Sequence, residues 1–571
     1  MEIKGIGISG GITIGKAYKF QPLEITVEHI CCSDGCQQEQ QKRCDLAKQT
    51  AREQLNALTE ELKTQPDKAK IFAAHQEFLE DEEIDEMVHD FVYEEHYCAE
   101  WAVESAYDRF ISIISKSKNK LIAERAADLQ DVKLRLLCIL TGKKKADLKH
   151  LPENSVIVAK DLLPSDTAEM DRKNVLAIIT EEGGATSHSA IIAKSYRIPA
   201  VLGAVGAMDG VEDGESVIVD ADKGIVITKP EDVLLQEYRE KKILSDRETQ
   251  IAEIWAGKPG CTADGVHISA GLNIGSHKNT DGYENCDYIG LLRTEFIYMD
   301  SDHLPTEDEQ FSIYKTILEN MKGRPVTLRT LDIGGDKTLK YKELPKEANP
   351  FLGRRALRLC FDEPEIFRTQ LRAAYRASAY GRLQIMFPMV GSMDDWRRAK
   401  DFADKVRAEL DQEGIPYDKQ LKLGVMIEVP AAAIIADMLS LEADFASIGT
   451  NDLCQYLCAA DRLEASVNEY YQSYSPAFVR VLGHIIKSFT NAGKEVSVCG
   501  EMAGDCKASP LLAGLGLRKF SMSPSSLGKV KYALSHYSIP QCEELAQKCC
   551  NAATQAQVKE ILAQAELEAM A

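Results

Sequence analysis

The residue types best suited to group transfer stand near the middle of the chain, in EEGGATSHSAIIAKSYRIPAVLG (181–203). Two glycines precede Ala-Thr-Ser-His, and an apolar segment of helical spacing follows. This pattern puts His188 close to a helix N-terminus, where unpaired N–H groups and the helix dipole favour phosphate. A neutral imidazole, with an ordinary pKa of about 6.5, is a nucleophile at neutral pH. Phosphoryl transfer needs little beyond an aligned nucleophile, a cation and charge stabilisation. His188 is therefore the candidate acceptor.

A second set lies in the C-terminal half, where polar residues end apolar runs. Arg293 closes IGLLR and Arg329 closes VTLR; two such arginines can clamp an anion with their planar forks. Arg462 in AADR is a third candidate, and Arg355 in NPFLGRRALR a fourth. A substrate bearing both phosphate and carboxylate would use such a set. Glu428 (MIEVP) and Asp452 (GTND, beside Asn451) suit Mg²⁺, which takes one or two protein carboxylates and fills its octahedron with substrate oxygens and water. Cys499 in SVCGEMAGD can be a buried structural thiol, or an acid if its pKa suits the task.

These residues need a scaffold. Eight strand candidates recur after residue 260: HISAGLNI, DYIGLLR, PVTLRTLDI, LQIMFPMV, LKLGVMIEV, FASIG, EVSVCGE and KFSM. Most are separated by helix-like stretches, which fits one (β/α)8 TIM barrel with chemistry at the C-terminal strand ends. Residues 151–228 read as a smaller α/β domain with a closing hairpin in VIVDADKGIVIT. Residues 1–20 suit a strand pair with glycine turns belonging to the same domain. Between them, 36–143 is almost free of glycine, has Pro66 as its sole proline, and repeats apolar residues at helical spacing. It carries an acidic run, LEDEEIDEMVHDF (79–91). The expected organisation is a multidomain α/β protein: 1–24 and 146–228 a swivelling phosphohistidine domain, 25–145 an inserted helical bundle, 229–260 a linker helix, and 261–571 the barrel.

Composition narrows the function. The chain has 571 residues and a formal net charge of −21. That charge disfavours nucleic acid and anionic membrane surfaces, and suits a basic protein partner. No secretory signal or 18-residue apolar span is read in it, so a cytoplasmic location is expected. The 16 cysteines are then free thiols. Cys31, Cys32, Cys36 and Cys44 cluster loosely without completing a zinc pattern. Gly5, Gly7 and Gly10 imitate a dinucleotide fingerprint, and Gly10, Gly15 and Lys16 a P-loop. Neither is followed by a helix, and Ala17 stands where the P-loop hydroxyl belongs.

GGATSHSAIIAK, LRTEFIYMD, LPTEDEQ, TLDIGGDK, NPFLGRRALR, IMFPMV, GVMIEVPAAA, SIGTNDLCQY and VCGEMAGD together resemble enzyme I of the phosphoenolpyruvate:sugar phosphotransferase system, in the family's order and over essentially the whole chain. The resemblance implies a cycle. Magnesium-bound phosphoenolpyruvate at the barrel mouth phosphorylates His188, which passes the group to the phosphocarrier HPr docked on the helical domain. It implies Glu428 and Asp452 as metal ligands. Arg293, Arg329, Asn451, Asp452, Arg462 and Arg355 become substrate contacts, and Thr167 a hydrogen-bond partner of His188. Cys499 becomes the acid that yields pyruvate, and the chain a homodimer through the barrel. The acidic run near His75 falls in the carrier-docking domain. Two positions depart from the family pattern: Ala185 and Lys194 stand where arginines are usual. Dikinases and phosphoenolpyruvate synthases share the parts but need an ATP-binding domain for which the chain has no room. A phosphoenolpyruvate-binding regulatory paralogue acting on a non-sugar carrier is the remaining alternative.

Overall fold

The computed structural model of the chain describes every residue except 22–24, 34, 62–65, 116–124, 144–147, 149–150, 185–186, 197, 277–279, 335–336, 338, 340, 343–346 and 571. It divides into two compact units, Met1–Asp246 and Arg247–Ala571, with the boundary inside the helix Asp232–Ala256.

The first unit is built on an eight-stranded sheet ordered β1-β8-β7-β3-β4-β5-β6-β2. Its strands are β1 (Glu2–Lys4), β2 (Ile6–Ser9), β3 (Ile12–Phe20), β4 (Ser155–Ala159), β5 (Val175–Thr180), β6 (Ala200–Leu202), β7 (Ser216–Asp220) and β8 (Ile225–Thr228). β3 to β6 run parallel, and the rest join antiparallel. The expected hairpin in 217–228 is β7–β8. The expected strand pair in residues 1–20 is corrected. Three strands form there, and none pairs with another: β1 joins β8, β2 joins β6, and β3 lies between β4 and β7. Gly5, Gly7 and Gly15 serve close approach, while Gly11, at φ +121°, serves the link from β2 to β3. A Cβ on Gly7 would lie 1.9 Å from the Ala221 carbonyl oxygen.

Between β3 and β4 the chain forms a helical bundle: α1 (Gln37–Glu61), α2 (Pro66–Leu79), α3 (Glu82–Tyr93), α4 (Ala99–Ser115) and α5 (Ala126–Thr141). Ala51, Leu55, Phe72, Val92, Ala102 and Leu129 are fully buried in its core. The acidic run becomes α3. Asp81 caps it by accepting from Glu83 N at 3.0 Å and Ile84 N at 3.3 Å. Ile84, Val88 and Val92 face inward, while Glu82, Glu83, Asp85, Glu86 and Asp90 stay exposed. Asp131 on α5 ties the bundle to the α/β part. It accepts from Ser165 N at 2.9 Å and Ser165 Oγ at 2.8 Å at the start of α6 (Pro164–Glu169). His75 is buried, with Nε2 3.3 Å from Asp128 Oδ1.

The second unit is a closed barrel of eight parallel strands: β9 (Ser269–Ile274), β10 (Tyr288–Leu292), β11 (Val326–Arg329), β12 (Leu383–Phe387), β13 (Lys422–Ile427), β14 (Phe445–Ile448), β15 (Glu495–Val498) and β16 (Lys519–Met522). Every expected strand is present. Strands buried on both faces read as continuous apolar runs, as β10 (YIGLL) does. Leu291, Met386, Met426, Phe445 and Cys499 form an interior cluster. Gly424 is required where the Phe445 ring lies, since a Cβ would come within 2.5 Å of it. Among the described residues no helix is long and apolar enough to cross a membrane.

Candidate active site

All the barrel residues singled out from sequence gather at the C-terminal strand ends. Arg329 is the last residue of β11, and Arg293 follows β10 directly. Glu428 follows β13 and Cys499 follows β15. Asn451 and Asp452 lie in the first turn of the helix Thr450–Cys458, immediately beyond β14.

The arginines divide into two kinds. Arg329 and Arg355 are buried and committed to carboxylates. Arg355 grips Asp332 through Nε at 3.1 Å and through Nη2 at 2.9 Å to both carboxylate oxygens. The same Nη2 is 3.4 Å from Asp452 Oδ2, and Nη1 donates to Tyr456 Oη at 3.3 Å. Arg329 Nη2 pairs with Glu295 Oε1 at 2.5 Å and Asp332 Oδ2 at 3.1 Å. Lys337 Nζ joins them, 2.7 Å from Glu295 Oε1 and 3.4 Å from Asp332 Oδ2. Burial alone would raise Asp332; Arg329, Arg355 and Lys337 outweigh it and hold the carboxyl below its usual range. Glu295 follows the same pattern, with Arg329 and Lys337 opposing its burial. Arg293 differs. It is exposed, makes no ion pair among the described residues, and lines a cavity of about 490 Å³ with Cys499, Asn273, Glu501 and Ser523.

Glu428 accepts from Met389 N at 2.7 Å and is 1% exposed. Burial first, then repulsion from Asp452 and Asp332, push its carboxyl up to about 8. Asp452 is held on one side by Arg355 and on the other by Arg462, whose Nη1 lies 3.3 Å from Oδ1. Asn451 bonds Glu501 twice, donating to Oε1 at 3.2 Å and accepting from its backbone N at 3.0 Å. The Cys499 thiol faces the Ile448 carbonyl oxygen at 3.7 Å. Burial pushes it up to about 11, against the lowering effect of Ser447, Arg329 and Arg293. It is a protonated thiol at neutral pH.

In the first unit, His188 opens the helix α7 (His188–Tyr196). Ser187 precedes it and accepts from Ala190 N at 3.3 Å. Gly183 sits at φ +95°, which favours glycine. Thr167 is buried on α6 and donates to the Pro164 carbonyl at 2.9 Å. The partnership expected between Thr167 and the His188 ring involves a side chain outside those described, as is Ala185. Lys194 is exposed on α7.

Glu295 and Lys337 stand outside the set expected from sequence, although both lie within quoted motifs. Glu295 is two residues beyond Arg293 in LRTEF, and Lys337 ends TLDIGGDK. Tyr456 and Asn273 were also outside it. Tyr456 braces Arg355, and Asn273 Nδ2 donates to the Cys499 carbonyl at 2.8 Å. Among the described residues, no three His, Cys, Asp or Glu converge as a self-contained metal cage.

Three family descriptions match in series: PEP-utilising enzyme, N-terminal, over residues 4–125; mobile domain, over 151–224; and PEP-binding domain, over 250–539. The chain is 43% identical over 564 residues to the phosphoenolpyruvate-protein phosphotransferase of Bacillus subtilis (strain 168), covering 98% of each chain. Its identity to that of Priestia megaterium is 43% over 544 residues, covering 94% of each. To that of Staphylococcus carnosus it is 41% over 572 residues, covering 98% of each. A solution structure described as Enzyme I (nEIt) matches 43% of this chain and 99% of that one, at 35% identity and a TM-score of 0.38. With three consecutive PEP-utilising segments and full-length relatives above 40% identity, the chain belongs to the phosphoenolpyruvate-protein phosphotransferase family.

Proposed function

We propose that the chain transfers the phosphoryl group of phosphoenolpyruvate to His188, releasing pyruvate, and then to a protein phosphocarrier of the HPr kind. One observation carries the barrel half of this reading. Cys499, a thiol kept protonated by burial, and Arg293, a cation without an ion-pair partner among the described residues, face the same cavity of about 490 Å³. An acid and an anion-binding group on one space suit a phosphorylated enol whose carbon must be protonated after phosphoryl loss.

Each residue then has a task. Arg293 and Arg462 meet substrate anion directly. Arg329 supplies positive charge from a fixed position, locked by Glu295 and Asp332. Arg355, taken up by Asp332, orients Asp452 rather than reaching into open space. Asn451 is held by Glu501 at the same rim. Cys499 donates its proton to the enolate carbon. His188 attacks phosphorus with its lone pair as the bond to the enol oxygen breaks.

Glu428 and Asp452 fit Mg²⁺. A carboxyl raised to about 8 by burial, with two neighbouring carboxylates adding to the shift, is a site short of a cation. Two carboxylates leave the remaining positions to substrate oxygens and water, as Mg²⁺ prefers. Bound there, the ion would neutralise charge developing on the phosphoryl and enol oxygens. The exposed carboxylates of α3 support docking of a basic carrier face. Ile434, Met438 and Leu441, exposed at helical spacing on the barrel unit, support a homodimer. A cytoplasmic site of action follows from this role.

Rapid mixing of the purified chain with phosphoenolpyruvate and Mg²⁺ tests the reading. One pyruvate per chain should appear in a burst, and further turnover should require carrier. Absence of a burst in folded protein would refute it.

A further inference from the structure

The helix that carries Asn451 and Asp452 also carries two cysteines. Cys454 and Cys458 lie one turn apart, and their sulfurs are 3.9 Å from each other. Cys454 is buried and Cys458 half-buried. Neither has a task in the phosphotransfer described above. Residues four apart on an α-helix share a face, with Cβ atoms about 5–6 Å apart, and a disulfide draws them to about 4 Å. Closure requires the sulfurs to approach by roughly 2 Å. The helix can give at this end. Cys458 is its last residue, and Ala459 follows in the left-handed region at φ +53°.

The surroundings connect this turn to the barrel mouth. The Tyr471 hydroxyl and the Gln472 backbone N–H flank the Cys454 thiol. Tyr471 also donates to the Asn451 carbonyl at 3.3 Å. Beyond Cys458 the chain doubles back. Ala460 N bonds the Gln455 carbonyl at 3.2 Å, and Arg462 N bonds Gln455 Oε1 at 3.3 Å. This return brings the Arg462 guanidinium to Asp452. Tightening between residues 454 and 458 therefore pulls directly on the segment that positions Arg462.

We infer that Cys454 and Cys458 form a reversible dithiol–disulfide pair, and that its oxidation by a small-molecule disulfide weakens substrate binding at the barrel mouth. The more accessible Cys458 thiolate attacks one sulfur of the small disulfide. A mixed disulfide forms, and one small thiolate leaves and takes a proton. Cys454 loses its proton to solvent and attacks Cys458 Sγ, expelling the second small thiolate. Two protein thiols are oxidised, and one small disulfide is reduced to two thiols. The effect on activity rests on the phosphotransfer reading; the pairing of the thiols does not.

The test treats the full-length chain with oxidised glutathione and follows two readouts. The tryptic peptide Leu423–Arg462 contains these two cysteines and no others. Mass spectrometry should find it lighter by two hydrogens and closed to alkylation until reduced. The KM for phosphoenolpyruvate should rise about tenfold, equivalent to one weakened charged contact, and return after dithiothreitol. Cys458→Ser and Cys454→Ser should each keep the reduced KM under oxidant. A peptide that stays in the dithiol form overturns the pairing. A disulfide without a change in KM, or an equal rise in both serine variants, overturns the coupling to Arg462. A reduced wild-type chain that accepts no phosphoryl group would instead overturn the phosphotransfer reading, with the mass result unaffected.

Discussion

The barrel mouth and the His188 segment solve opposite problems with opposite means. At the mouth, Glu295, Arg329, Asp332 and Arg355 are each at most 6% exposed, and every charge has an opposite charge within reach. Such a network costs desolvation, and replacing it with apolar side chains would often be neutral or better for stability. Its value is a fixed array of charge, aimed before substrate arrives. The His188 segment has glycines and a serine at the helix start. It belongs to a different compact unit. A fixed charge array thus lies in one compact unit, and His188, the proposed nucleophile, in the other.

The largest effect is expected at the proposed metal site. Glu428→Gln should lower the rate of pyruvate formation at saturating Mg²⁺ by about 10³-fold or more, because the cation that neutralises phosphoryl charge is lost. A variant within tenfold of wild type would mean that the fixed array works without it. Next in size is the acid. Cys499→Ala should slow pyruvate release by roughly 10²- to 10⁴-fold, while phosphoryl exchange between His188 and phosphorylated carrier, followed by label transfer, stays unchanged. Loss of both activities would remove the separation of tasks.

Those two residues were legible because each directly follows an apolar strand run. Barrel strands such as β10 (YIGLL) and β13 (KLGVMI) were legible for the same reason: buried on both faces, they leave apolar stretches in the chain. What remained hidden depended on long-range pairing. The order of β1, β2 and β3 is set by partners more than 130 residues away, such as β6 for β2. No local pattern of glycines encodes that. The grip of Arg355 on Asp332, 23 residues earlier, lies beyond any spacing rule. Glu295 and Lys337 were visible as letters, but nothing in the order of letters says that both meet Arg329.

Smaller tests sharpen the same contrast. Glu295→Gln leaves Arg329 and Lys337 short of a buried carboxylate and should destabilise the barrel unit by about 3 kcal/mol. Calorimetry should find the first unit's transition unmoved; an equal shift in both would contradict their independence. Metal binding should depend on pH with a definite sign. Glu428 is raised to about 8, so below that pH the cation must displace a proton. Calorimetric Mg²⁺ affinity should therefore fall by up to about tenfold per pH unit as pH drops from 8, and a flat profile would contradict the coupling. Least in size, the double variant Glu83→Lys, Glu86→Lys on α3 should raise the KM for the phosphocarrier by about tenfold and flatten its salt dependence, with the pyruvate burst unchanged.

Labelled phosphoenolpyruvate tests whether the barrel's fixed charges act on a nucleophile carried elsewhere in the chain. With Mg²⁺, the wild-type chain should acquire acid-labile, base-stable label at His188, and His188→Ala none. Label of the same stability persisting in His188→Ala would contradict the account.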